Sequence, residues 1–280
     1  MKMVTLRVPR APNLNNLKLL LSKVNKKQRI YDLMEISEFN KRSYLDEYIE
    51  LLVVLGWVLK HENVLILTER GEEIKNKLDI NTHILNSDVD LIRTDFMNIR
   101  FIDLFIKNIY NIDFSNNKLS QECLVKEEII KRYNSYRDVS KSVAERESRT
   151  IYNWLLNLEV LGSLKSLSSK KERGYVCYYF CSKKISFNEF SKKIKLAVFK
   201  ALNGGGKKSE WVEIPKVRNL FCVENNISKS EFDGHLLKYN RENPKSFQLS
   251  PATFLRKEVE NEGIKDKSKY YFYIRLIREI

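Results

Sequence analysis

Glycine and proline are scarce in this chain, at 9 and 5 of 280 residues, and this argues against disorder and for a soluble, helix-rich globular protein. Cysteine is scarcer still. Cys123, Cys177, Cys181 and Cys222 contain no C-x-x-C pair, and the three histidines, His61, His83 and His235, are scattered. No metal site is therefore expected, and Cys177 and Cys181 read as buried thiols of a reducing, cytoplasmic compartment. Long apolar runs are missing too. The densest, Leu51 to Leu59, is interrupted by Gly56 and Trp57, and no apolar segment follows Met1-Lys2-Met3. A membrane span, which needs ~18 apolar residues, is not expected.

Recognisable catalytic chemistry is also lacking. Gly204-Gly205-Gly206-Lys207-Lys208-Ser209 lacks the spacing of a phosphate loop and the strand that should precede it, so it reads as a flexible break. Glu73-Ile74-Lys75 is an E-x-K triplet without an upstream acidic partner, and no nucleophile elbow or Cys/His pairing stands out. These absences predict a non-enzymatic protein without cofactor or metal.

What is present is positive charge, with 50 Lys and Arg against 36 Asp and Glu, a net +14. Such a field attracts an anionic partner, although an AT-rich coding genome also enriches Lys, Asn and Ile. The excess is uneven. Residues 1–90 hold 14 basic and 13 acidic side chains, 91–185 hold 17 and 11, and 186–280 hold 19 and 12.

One phrase occurs twice: a helix-period apolar run, Leu-Gly, a strand, a polar tip and a second strand. The first copy runs from Tyr44 to Gly56, where a left-handed cap is expected, then through Trp57–Lys60, the tip His61-Glu62-Asn63 and Val64–Leu67. Thr68 then caps a helix predicted to run towards Leu85, and Leu14–Val24 and Gln28–Ile36 are predicted helices upstream. The second copy runs from Ser148 to Gly162, then Ser163–Leu167, the tip Ser168–Gly174 and Tyr175–Cys181, with predicted helices at Leu91–Ile109 and Gln121–Tyr133 before it. A looser third copy has helices at Phe187–Leu202 and Ile214–Val223, a capping box at Ser228-Lys229-Ser230-Glu231 opening a helix through Tyr239, and strands at Phe247–Leu249 and Tyr270–Ile277. The run Tyr270 to Tyr273 could stack on unpaired bases, but it reads better as a packed strand.

With Leu55-Gly56-Trp57-Val58 and Leu67-Thr68-Glu69-Arg70-Gly71, this order of helices and hairpin resembles the winged helix-turn-helix superfamily of prokaryotic DNA-binding proteins. The expected fold is mainly α with short β-hairpin wings (α+β): two or three units in series, at 1–90, 91–185 and 186–280, the last with the Gly204–Gly206 break. In such units the second helix of the motif enters the major groove. That helix in the second unit carries Ile151, Trp154, Leu155 and Leu158 on one face and Arg146, Arg149, Thr150, Asn153 and Asn157 on another. Arg suits guanine and Asn suits adenine, while Lys170, Lys171 and Arg173 of the adjoining tip suit phosphates. A second strip is Ser230, Gly234, Lys238 and Arg241. The first unit carries Asp46, Glu47 and Glu50 instead, which predicts self-association or a protein partner there. Duplex DNA is the expected ligand, in transcription control or as the recognition component of a restriction or defence system. The alternative is a protein-protein adaptor within a larger nucleic-acid machine.

Overall fold

The computed structural model describes residues 9–10, 12–39, 41–78, 86–112, 123–165, 176–181, 184–203, 211–251, 262–267 and 269–277. Its backbone gathers into two compact units, one of residues 1–120 and 126–161, the other of residues 121–125 and 162–280. Both are helical with small antiparallel sheets, the α+β class the sequence predicts.

The first unit opens with α1 (Leu14–Lys23), capped by the Asn13 side chain, which accepts from the Asn16 N–H. The segment predicted as a helix over 28–36 is a different structure. Gln28–Arg29 is a short strand, β1, followed by 3₁₀ turns at Tyr31–Glu35 and Ser37–Phe39. Its buried residues Ile30 and Leu33 stand three apart, a spacing that a three-residue turn keeps on one side. Next come α2 (Arg42–Val54), β2 (Val58–His61) and β3 (Val64–Leu67), and the sheet order is β1–β3–β2. Gly56 follows α2 with φ +73°, the left-handed conformation its position predicts. Thr68 then caps α3 (Glu69–Lys77), its hydroxyl accepting from the Gly71 N–H at 2.9 Å. Gly71 is required here, because a Cβ would meet the Trp57 carbonyl oxygen at 1.9 Å.

The helix predicted over 91–109 is two helices, α4 (Asn86–Met97) and α5 (Arg100–Tyr110). Ile92 and Phe96 are buried on the first, and Ile102, Phe105, Ile106 and Ile109 on the second. Ile102 stands six positions after Phe96, so one straight helix would turn the two stripes to different sides, and the chain breaks the helix at Asn98–Ile99. After β4 (Cys123–Val125), where a helix is predicted, α6 (Lys126–Arg137) and α7 (Lys141–Asn157) return to the first unit. Trp154 of α7 is fully buried, stacks on Phe96 at 5.8 Å, meets Tyr48 edge-on at 6.5 Å, and donates its indole N–H to the Pro9 carbonyl at 2.7 Å. Thus α7 shares a core with α2 and α4.

Two polar contacts anchor α4. Asp88 pairs with Lys18 of α1 at 2.9 Å in a buried position. Asp95 accepts from the Trp57 indole at 2.7 Å and from Arg70 at two positions, 3.0 and 2.7 Å.

In the second unit β5 (Leu161–Lys165) and β6 (Val176–Phe180) join β4 in the order β4–β6–β5. Cys123 and Cys177 are disulfide-bonded between neighbouring strands, so Cys177 is not the buried thiol the sequence suggests. Cys123 lies 54 residues away, and no short spacing motif announces a pair that only strand pairing brings together. Cys222 and Cys181 stand outside this disulfide, the first buried and the second half-buried.

Then come α8 (Phe187–Asn203), β7 (Val212–Glu213), α9 (Ile214–Asn225), α10 (Lys229–Glu242), β8 (Phe247–Pro251), β9 (Ile264–Asp266) and β10 (Lys269–Leu276). The sheet order is β7–β10–β8, with β9 also on β10. Phe190, Phe221 and Phe232 of the three helices form a ring cluster with centroids 5.0 to 5.6 Å apart. Ser228 caps α10 as its motif predicts, but the Glu231 carboxylate reaches the Ile185 N–H at 2.6 Å instead of closing the box. Among the described residues no helix is long and apolar enough to cross a membrane.

Candidate nucleic-acid interface

Amphipathicity positions the polar face of α7. Ala144, Ser148, Ile151, Trp154 and Leu155 recur at steps of three and four and are buried, which turns the intervening positions outward. Arg146, Arg149 and Asn157 are exposed, and Thr150 and Asn153 are half-buried on the same side. Arg149, with 52% of its side chain accessible, donates to Glu145 at 2.9 Å one turn earlier. Glu145 also accepts from Lys126 at 3.2 Å, and that lysine, with Arg149 behind it, holds the carboxyl below its usual range. An exposed i,i+4 pair is worth only ~0.3–0.5 kcal/mol, so Arg149 can exchange it for a ligand at small cost.

The guanidinium of Arg146 has no partner among the described residues, and the adjacent Glu147 accepts from the Tyr133 hydroxyl at 2.7 Å. Thr150 donates to the Arg146 carbonyl at 3.0 Å and Asn157 to the Asn153 carbonyl at 3.0 Å. Both keep acceptor oxygens for a ligand. Lys170, Lys171 and Arg173 lie outside the described residues.

On α10 of the second unit, Phe232, Leu236 and Tyr239 are buried while Ser230, Gly234, Lys238 and Arg241 are exposed. A Cβ on Gly234 would have open space around it. Two of these cations are engaged. Arg241 pairs with Asp266 at 3.1 Å, and Lys238 sits over the Phe187 ring at 4.2 Å with Glu242 3.8 Å away. Sequence periodicity finds this strip but not Asp266, which the β9–β10 hairpin brings in.

Sequence reasoning missed two features. In the second unit Arg218, with only 4% of its side chain accessible, donates to both oxygens of Asp233 at 3.1 and 2.8 Å and to Glu262 at 3.0 Å, fixing α9 to α10. Burial pushes the Asp233 carboxyl up to about 6, against the pull of Arg218.

In the first unit a cleft of about 760 Å³ has walls from α2, the β2–β3 hairpin and α7, and Arg146 and Thr150 line it. Facing them are Arg42, Asp46, Glu47 and Glu50, with Lys60 and Glu62 from the hairpin. Arg42 pairs with Asp46 at 3.0 Å and Lys60 with Glu50 at 2.8 Å. Glu47, like Arg146, has no partner among the described residues. A period count within one helix cannot reveal this juxtaposition, because about a hundred residues separate the two walls. No group of three or more His, Cys, Asp or Glu among the described residues could hold a metal ion.

No protein-family model matches the chain, and no curated protein matches it in sequence. The solved structures that align with it include two of one enzyme. One is of restriction endonuclease FokI, at 11% identity and TM-score 0.34, over 80% of this chain and 60% of that one. The other is of the same enzyme bound to DNA, at 10% identity and TM-score 0.35, over 100% and 63%. This chain therefore spans less than two thirds of the length of either. The expectation of a non-enzymatic chain is corrected on this finding, since the protein in both structures is an enzyme. Likeness at this level assigns this chain no activity, substrate or partner of its own.

Proposed function

We propose that the chain binds double-stranded DNA through three winged-helix modules, in the stretches 1–90, 91–185 and 186–280. Each stretch contains, in order, a helix, a short strand, a helical segment, a helix and further strands, two in the first and second stretches and three in the third. In each the last strand lies between the first and the second, β1–β3–β2, β4–β6–β5 and β7–β10–β8, with β9 an added strand on β10 in the third. The recurrence of this order along the sequence supports one module used three times, with α2, α7 and α10 as the helices offered to a groove, although the elements of the middle stretch divide between the two compact units, α5–α7 falling in the first and its strands in the second.

The observation that carries the reading is the exposed side of α7. There Arg146, Arg149 and Asn157, beside half-buried Thr150 and Asn153, stand away from a core filled by Trp154 and Leu155. Arginine and asparagine can each make two hydrogen bonds to one purine edge, discriminating by ~1–3 kcal/mol per good pair. The net +14 supplies the sequence-independent attraction. Control of transcription, or target recognition in a restriction or defence system, are the settings such binding would serve.

The test is a competition in which a labelled random duplex is challenged by unlabelled duplex, single strands and structured RNA at about 50 and 200 mM salt. Duplex is expected to compete best, with binding weakening by orders of magnitude at the higher salt. The reading fails if no duplex is retained at the lower salt, or if single strands or RNA displace it more effectively.

A further inference from the structure

The acidic character of α2 argues against a groove role only if α2 acts alone. Its polar side, however, shares one cleft with α7. Within that cleft Asp46 and Glu50 are neutralised by Arg42 and Lys60, whereas Glu47 and Arg146 are each without a partner among the described residues and do not pair with each other. The cleft thus offers open donors, Arg10 and Arg146, and open acceptors, Glu47 and Glu62, and of these only Glu47 and Arg146 stand on the two helices α2 and α7.

We propose that this cleft reads a guanine–cytosine pair from both sides, Arg146 donating to guanine O6 and N7 and Glu47 accepting from the cytosine N4 amine. This rests on the duplex-binding reading. A carboxylate held near DNA meets repulsion from every phosphate, so it is tolerated only where it faces a base edge, and the major-groove donors it can meet there are the cytosine and adenine amines. With guanine held by Arg146, the amine within the same pair is that of cytosine. Glu47 is therefore a specificity-determining residue: it adds little to affinity for arbitrary sequence and penalises sites lacking an amine at that position.

The experiment selects bound duplexes from a randomised library with the wild-type chain, Glu47→Gln, Glu47→Ala and Arg146→Ala, each first shown to keep its thermal transition. The wild type is expected to enrich a site with an invariant G·C pair. Both Glu47 variants should lose or change the preference there, a change of roughly 5- to 150-fold, while binding random duplex as well as the wild type or a few-fold more tightly. Arg146→Ala should relax the same base pair. An unchanged motif in both Glu47 variants overturns the inference. A wild type that binds duplex but enriches no motif overturns it while leaving the duplex reading standing, and one that retains no duplex overturns both.

Discussion

Asp95 is the test of how the first unit is held together. Its carboxylate is 9% accessible and takes three hydrogen bonds, one from the indole of fully buried Trp57 and two from Arg70. Arg70 keeps Glu73 at 2.7 Å and is more than a third accessible, so losing Asp95 costs it on the order of 1 kcal/mol. Trp57 has no such alternative, and an orphaned buried N–H costs about 1–3 kcal/mol. Asp95→Ala should therefore destabilise the first unit by about 3 kcal/mol. Asp95→Asn, which leaves an acceptor for the indole, should cost about half as much.

The assay is urea unfolding followed by tryptophan fluorescence, with Trp57→Phe as the second arm of a double-mutant cycle. Phenylalanine removes the donor, so Asp95→Ala should be milder by about 1–2 kcal/mol in that background. Because Phe96 stacks on Trp154 of α7, Asp95→Ala should also weaken DNA binding. A loss of less than about 0.5 kcal/mol, or a cycle with no coupling to Trp57, would refute the assignment of Asp95 as the anchor.

The raised carboxyl of Asp233 makes the second unit pH-dependent. The folded form holds its proton more tightly than the unfolded chain, so the group's contribution is greatest below its ordinary value of 3.8 and declines as pH rises to about 6. The decline is about 3 kcal/mol at most, and Asp233→Asn should flatten it in unfolding curves taken across that range. The Cys123–Cys177 link closes a loop of 54 residues, for which loop-closure entropy gives about 4 kcal/mol. Cys177→Ser, or a reducing buffer, should lower the second unit's denaturation midpoint accordingly, and no difference between oxidised and reduced protein would contradict the pairing.

What the sequence made legible is local chemistry. Gly56 at a left-handed position, Thr68 and Ser228 as caps, and the alternating faces of α7 and α10 all follow from spacing within a few residues. What it hid depends on partners distant along the chain. Trp154 could be placed on an apolar face, but not against Phe96, Tyr48 and Pro9. Nothing near Arg218 in the sequence announces its burial, which depends on Asp233 of α10 and on Glu262. The sequence of α2 does not show that its acids line the same cleft as Arg146. The misread segment at 28–36 has a subtler cause: apolar residues three apart fit a 3₁₀ turn as well as an α-helix.

The most direct measurement of the central claim compares duplex affinity of the wild type with that of Arg146→Ala/Arg149→Ala at one selected site, after thermal melting has shown both to be folded. Each arginine is expected to supply about 1–3 kcal/mol, so the double variant should bind at least ~10-fold more weakly. Binding within twofold of the wild type would mean that the exposed side of α7 does not touch DNA.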